Sequence, residues 1–173
     1  MENLENLSAS ELIEKGIQYY KGNGVKRKFA IAARYFSQAS KSDINGKFWY
    51  AKCKFYGNGE KFDPVSAYSM FSEASEEGIV GAKYYKALCL LDGIGVEADE
   101  KAAFEMFKKI YETDAFLPAL HQLALCYYYA RGTEYNYNEA FQAFKKATES
   151  NYFLSELYYV SLLKGSERKA AVK

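Results

Sequence analysis

Apolar residues fall at helical spacing along nearly the whole chain. Around Ala82, Tyr85, Ala87, Leu88, Leu90 and Leu91 they return every three or four positions. A second stripe, Ala-x-x-x-Phe-x-x-Ala, appears at Ala32, Phe36 and Ala39, at Ala67, Phe71 and Ala74, at Ala103 and Phe107, and at Ala140, Phe144 and Ala147. Both spacings gather the apolar side chains on one face of an α-helix. The pattern predicts helices near residues 9–21, 29–41, 46–56, 64–77, 81–92, 100–113, 117–130, 138–150 and 153–164. Between paired helices, Gly-x-Gly at Gly22 and Gly24, Gly57 and Gly59, and Gly93 and Gly95 supplies positions for positive φ that end one helix and reverse the chain. Asp63 with Pro64, Asp99 and Asn138 read as starts of the second helices, and Ser8 with Glu11 has capping-box spacing at the first.

The glycine turns recur 35 and then 36 residues apart, and the Ala/Phe stripe recurs at steps of 35, 36 and 37. A hairpin of about 35 residues cannot bury its apolar face alone, whereas stacked copies share one core. The expected fold is all-α, a right-handed α-solenoid of four helix hairpins plus a C-terminal capping helix. One domain spans 1–173, with repeats near 8–42, 43–78, 79–115 and 116–151, a half-repeat cap near 152–165 and a loosely held tail over 166–173. Unit four reaches Gly132 two residues late, so the Tyr- and Asn-rich loop 130–138 is expected to differ in shape, as an irregular hairpin or a contact point.

Composition narrows the function. The chain has 173 residues, with 23 Lys+Arg against 22 Asp+Glu, a net charge of +1. That balance argues against direct nucleic-acid binding, which draws on a clear cationic excess. No apolar run approaches the length that crosses a bilayer, and the start, MENLENLSAS, lacks the basic and apolar regions of a secretory signal. One His and three Cys, without a CxxC pair, leave no set of metal ligands, and no cofactor is expected. Cys53, Cys89 and Cys126 stand 36 and 37 residues apart, at one repeated position, and read as buried small hydrophobes. The Gly-x-Gly turns follow no strand, which argues against a dinucleotide loop. His121 is the single imidazole base, and no Ser or Cys stands obviously beside it in sequence; it reads as a binding-surface histidine.

Gly16, Tyr19, Gly22, Gly24, Val25, Ala32, Tyr35, Phe36 and Ala39, and again Ala82, Ala87, Gly93, Gly95, Val96, Asp99, Ala103 and Phe107, resemble the Sel-1-like repeat family, a relative of tetratricopeptide repeats. The resemblance spans about residues 8–165, with local departures at Lys54 and Glu60. It implies a non-catalytic adaptor or scaffold that holds another protein, as a peptide segment or helix, within a larger assembly. By analogy with tetratricopeptide geometry, the concave groove is assigned to Ile17, Tyr20, Phe48, Lys52, Phe55, Tyr56, Tyr84, Leu88, Asp92, His121, Leu125, Tyr128 and Tyr129, an aromatic and apolar set. A secreted branch of the family staples each repeat with a disulfide and is associated with β-lactamase-like or peptidoglycan-related hydrolysis. Its cysteine pattern is missing here, which favours a reducing compartment, the cytoplasm or nucleus, and keeps the hydrolase as the alternative reading.

Overall fold

The computed structural model describes residues 4–171, with side chains over residues 4–164. After a short 3-10 turn at Leu4–Asn6, the helices are α1 (Ala9–Lys21), α2 (Phe29–Ala39), α3 (Ile44–Tyr56), α4 (Pro64–Glu76), α5 (Val80–Asp92), α6 (Glu100–Asp114), α7 (Leu117–Tyr129), α8 (Tyr137–Glu149) and α9 (Phe153–Ala171). There is no strand among the described residues. The fold is all-α, built from repeated helix hairpins. Boundaries agree with the sequence expectation within two residues, except that α9 continues to Ala171 through most of the segment expected to be a loose tail. Val172, Lys173 and residues 1–3 lie outside the described residues.

Capping chemistry accounts for the starts. Ser8 and Glu11 form the reciprocal capping box, the Ser8 N–H donating to the Glu11 carboxylate at 2.8 Å. Asp63 and Asp99 accept from the Ser66 and Ala102 N–H groups. In the fourth hairpin the cap is Asn136, which accepts from the Glu139 N–H; Asn138, the expected cap, lies inside α8. Each satisfied cap contributes about 1 kcal/mol.

The turns within the hairpins share one hydrogen-bond plan. The residue after the αL position bonds back to the first helix, as in Asn23 to Gln18, Asn58 to Cys53, Ile94 to Cys89 and Arg131 to Cys126. The second-helix cap then bonds back, as in Lys28 to Tyr19, Asp63 to Lys54, Asp99 to Leu90 and Asn136 to Tyr127. The loop after α7 therefore does not depart in shape, contrary to expectation. Ala130, at φ 57, takes the αL position glycine fills elsewhere, so Gly132 is the second glycine of the turn and is in register. That second position is the demanding one: a Cβ on Gly59 would collide with the Phe29 carbonyl, and one on Gly132 with the Glu100 carbonyl.

The packing divides the chain into two compact units, Met1–Cys89 with Gly93–Glu97, and Leu90–Asp92 with Ala98–Lys173. In the first, Phe36 and Phe71 are fully buried, Trp49 stacks on Phe36 at 5.3 Å and Tyr85 stacks on Phe71 at 5.0 Å. In the second, Phe144 is fully buried and carries Tyr158 of α9 stacked at 5.0 Å. A ring from the next hairpin's first helix thus closes over the second-helix Phe, and each such burial stabilises by about 1.5–3 kcal/mol. The alanines flanking these rings are fully buried and let the helices approach closely. Among the described residues no helix is long and apolar enough to cross a membrane.

Candidate partner-binding face

An aromatic cluster of the first unit surrounds Lys52. Its ammonium lies 4.3 Å from the centre of the Trp49 ring, 5.4 Å from Tyr85, and 5.7 Å from both Tyr20 and Phe48. Helical spacing explains the local part: Phe48 and Trp49 sit one turn before Lys52 on α3, and Phe55 and Tyr56 one turn after. Tyr20 comes from α1 and Tyr85 from α5. The rings meet edge to face, Tyr20 on Trp49 at 5.7 Å and Phe55 on Tyr85 at 5.6 Å. Around the rim, the Asn58 amide donates to the Tyr20 hydroxyl at 3.0 Å, and the Tyr56 and Tyr85 hydroxyls share a hydrogen bond of 3.1 Å. Burial lowers the Lys52 pKa, with the Lys21 charge adding to the effect, and burial raises those of Tyr20 and Tyr85. Lys52, Tyr20 and Tyr85 are half-buried, while Tyr56 is 51% exposed, so solvent reaches the bowl.

The other assigned residues behave in several ways. Ile17 packs with Tyr20 and Trp49 against Phe36, while Tyr84 meets Tyr85 edge to face at 5.7 Å and Leu88 is half-buried. In the second unit, Leu125 and Tyr128 pack against the Phe144 core, and exposed Tyr129 meets Tyr128 edge to face at 5.0 Å. Asp92 is exposed but already paired: Arg131 donates to it at 2.7 Å, to Glu100 at 2.8 Å and to the Leu91 carbonyl at 2.5 Å. Those bonds, the one to Asp92 foremost, raise the Arg131 pKa.

His121 is a correction. It is 7% exposed, and its Nδ1 lies 2.9 Å from the Ser155 hydroxyl, with Phe144, Tyr152 and Tyr158 rings around the imidazole at 5.6 Å. Burial lowers its pKa. It is a core residue, not a groove residue, because α9 closes over it. A serine does stand beside it, but Ser155 is 0% exposed, and a nucleophile that no substrate can touch performs no acyl transfer. An open cleft of about 300 Å³ lies elsewhere in this unit, floored by Leu120 and Leu123 between α6 and α8.

Sel1 repeat models match residues 16–43, 45–79, 81–112 and 117–152. This chain belongs to the Sel1 repeat family. It is similar in structure to a protective antigen present in uropathogenic Escherichia coli strains displaying an SLR fold, with 24% identity and a TM-score of 0.71 over 94% of this chain and 35% of that one. It is also similar to a Sel1 repeat protein from Oxalobacter formigenes, with 20% identity and a TM-score of 0.75 over 88% of this chain and 62% of that one. The chain therefore spans less than two thirds of either relative, and the likeness carries the solenoid fold alone. No curated protein matches the sequence. Sel1 repeats generally serve as protein-interaction modules and are typically non-catalytic.

Aligning the Sel1 repeats places Phe48, Tyr84 and His121 at one position and Lys52, Leu88 and Leu125 at another. Ser155 occupies the buried small-residue slot of Ala82 and Ala119, and there its hydroxyl meets His121. Trp49, Tyr85 and Asn58 were missed by the sequence reasoning: the borrowed tetratricopeptide offset selects Phe48 and Tyr84. The signal was present in the 36-residue step from Trp49 to Tyr85. Cys53, Cys89 and Cys126 are free and buried, and burial pushes the Cys53 thiol up to about 12 and that of Cys126 up to about 11. Among the described residues, no three His, Cys, Asp or Glu side chains gather as metal ligands.

Proposed function

We propose that this chain is a non-catalytic adaptor that holds a peptide segment or helix of a partner protein against the aromatic face of α1, α3 and α5, within a larger assembly. The observation that carries the reading is the solvent-reachable bowl of Tyr20, Phe48, Trp49, Tyr56 and Tyr85 around Lys52. Rigid aromatic side chains supply large contact area at small entropic cost and dominate protein interfaces. Three buried free thiols fit a reducing compartment, the cytoplasm. The test is affinity capture with the wild-type chain beside a Tyr56→Ala, Tyr84→Ala variant shown by circular dichroism to remain folded. Loss of a specific co-purifying protein supports the face; unchanged capture by a folded variant sinks it and turns attention to the exposed Tyr129 and Tyr135.

A further inference from the structure

The Lys52 bowl has an imbalance of hydrogen-bonding chemistry. Among the described residues the ion pairs join other side chains, and no carboxylate or hydrogen-bond acceptor engages the Lys52 ammonium; ring faces surround it instead. The neighbouring hydroxyls add to the excess. The Tyr20 oxygen accepts from Asn58, which leaves its own O–H to donate. In the Tyr56 and Tyr85 pair one hydroxyl donates to the other, and one O–H remains over whichever way the bond runs. Burial raises the Tyr85 pKa, and the nearby Tyr56 and Tyr20 phenols add to it. A half-buried cation and two spare hydroxyl protons therefore face one solvent-reachable bowl, without an anion to receive them.

Resting on the adaptor reading above, we infer that this bowl takes an Asp or Glu side chain of the partner polypeptide, set beside an aromatic or branched apolar residue that packs on Phe55 and Tyr56. The charge count selects the ligand. One ammonium with neutral donors matches a monoanion, whereas a phosphate dianion calls for additional cations or a guanidinium fork. The partly desolvated surroundings strengthen such a charge-assisted bond relative to one in water. The rings continue on both sides of Lys52, from Tyr20 through Tyr56, so a chain segment can pass across the bowl rather than end in it.

A phage-displayed library of random peptides, selected on the full chain, tests this directly. The expected result is recovery of peptides sharing an Asp or Glu next to an aromatic or branched residue. Changing that acid to its amide should weaken binding to the wild-type chain at least about tenfold, and by less than about twofold once Lys52→Met has removed the charge while keeping the stem. Lys52→Arg should retain the preference for the acid. Peptides that bind and respond to Tyr56→Ala, yet show no coupling between acid and Lys52, overturn the carboxylate site and leave the adaptor face standing. Peptides insensitive to Tyr56→Ala, or no peptide at all, overturn the face itself and the inference with it.

Discussion

Lys52 and His121 are polar side chains on the first helices of two hairpins, at different positions of the repeat, His121 aligning with Phe48 and Lys52 with Leu125, each 73 residues apart, and they meet opposite fates. His121 stands where Phe48 stands in the first unit. There Phe48 packs against Phe71 and Tyr85, an all-ring contact. In the second unit the imidazole makes the same kind of ring contacts with Phe144 and Tyr158, but its nitrogen also finds a hydroxyl at 2.9 Å. One small-residue slot holds Ser155 rather than alanine, and that single oxygen lets a polar ring be sealed in the core. Among the described residues Lys52 meets four rings and no acceptor, so its cation stays at the surface of the bowl. The repeat provides equivalent positions, and the availability of a partner decides which polar group is structural and which is left to bind.

If the two regions share one packing scheme, truncating its central ring should hurt both alike. Phe71→Ala and Phe144→Ala are each expected to cost about 3–5 kcal/mol in denaturant unfolding, since both rings are fully buried in close-packed surroundings. A loss below about 1 kcal/mol at either would break the equivalence. The sealed pair is next in size. Ser155→Ala strands a buried imidazole nitrogen and should cost about 1–3 kcal/mol, whereas adding His121→Phe, which restores the ring of the first unit, should recover most of it. Additive losses in that cycle would deny the coupling.

The same pair sets a pH dependence. The folded His121 pKa is depressed below its ordinary 6.5 by burial, so the unfolded chain binds more protons in acid. Its contribution is fully present above about pH 6.5 and is lost as pH falls from there toward the folded value, with a slope of at most about 1.4 kcal/mol per pH unit. Comparing unfolding of the wild type with the His121→Phe, Ser155→Ala double variant isolates the effect; parallel profiles would refute it. The smallest expected change is at the open bowl. Lys52→Met should alter stability by less than about 1 kcal/mol, because the lost cation–π attraction is offset by relief of a partly desolvated charge. A larger loss in thermal unfolding would make Lys52 a structural residue like His121.

Much of the fold was legible because its determinants are local and repeated. Capping residues such as Ser8, Asp63 and Asp99 act over three positions, and the Ala/Phe stripe returns at a fixed period. The site was half legible. Tyr20, Phe48, Lys52, Phe55 and Tyr56 do gather, but Trp49 and Tyr85 were overlooked because adjacent positions on a helix face different neighbours, and an offset taken from another repeat class shifts the choice by one residue. Asn138 was misread as the cap in place of Asn136 because an Asx residue two positions inside a helix looks like a cap until the turn's hydrogen bonds are known. Arg131 gave no signal, since its acids Asp92 and Glu100 lie 39 and 31 residues earlier.

The sequence by itself determined the helices, the hairpin period, the buried Phe and Ala ladder and the burial of Cys53, Cys89 and Cys126, because each follows from spacing and side-chain volume along a single chain. Only the tertiary structure decided that Ala130 adopts αL so the fourth turn keeps its register, that Ser155 meets His121 in the core, and that Tyr20 and Tyr85 close on Lys52 from separate helices. These depend on which atoms face one another across helices, a matter of a few ångströms that periodicity does not encode.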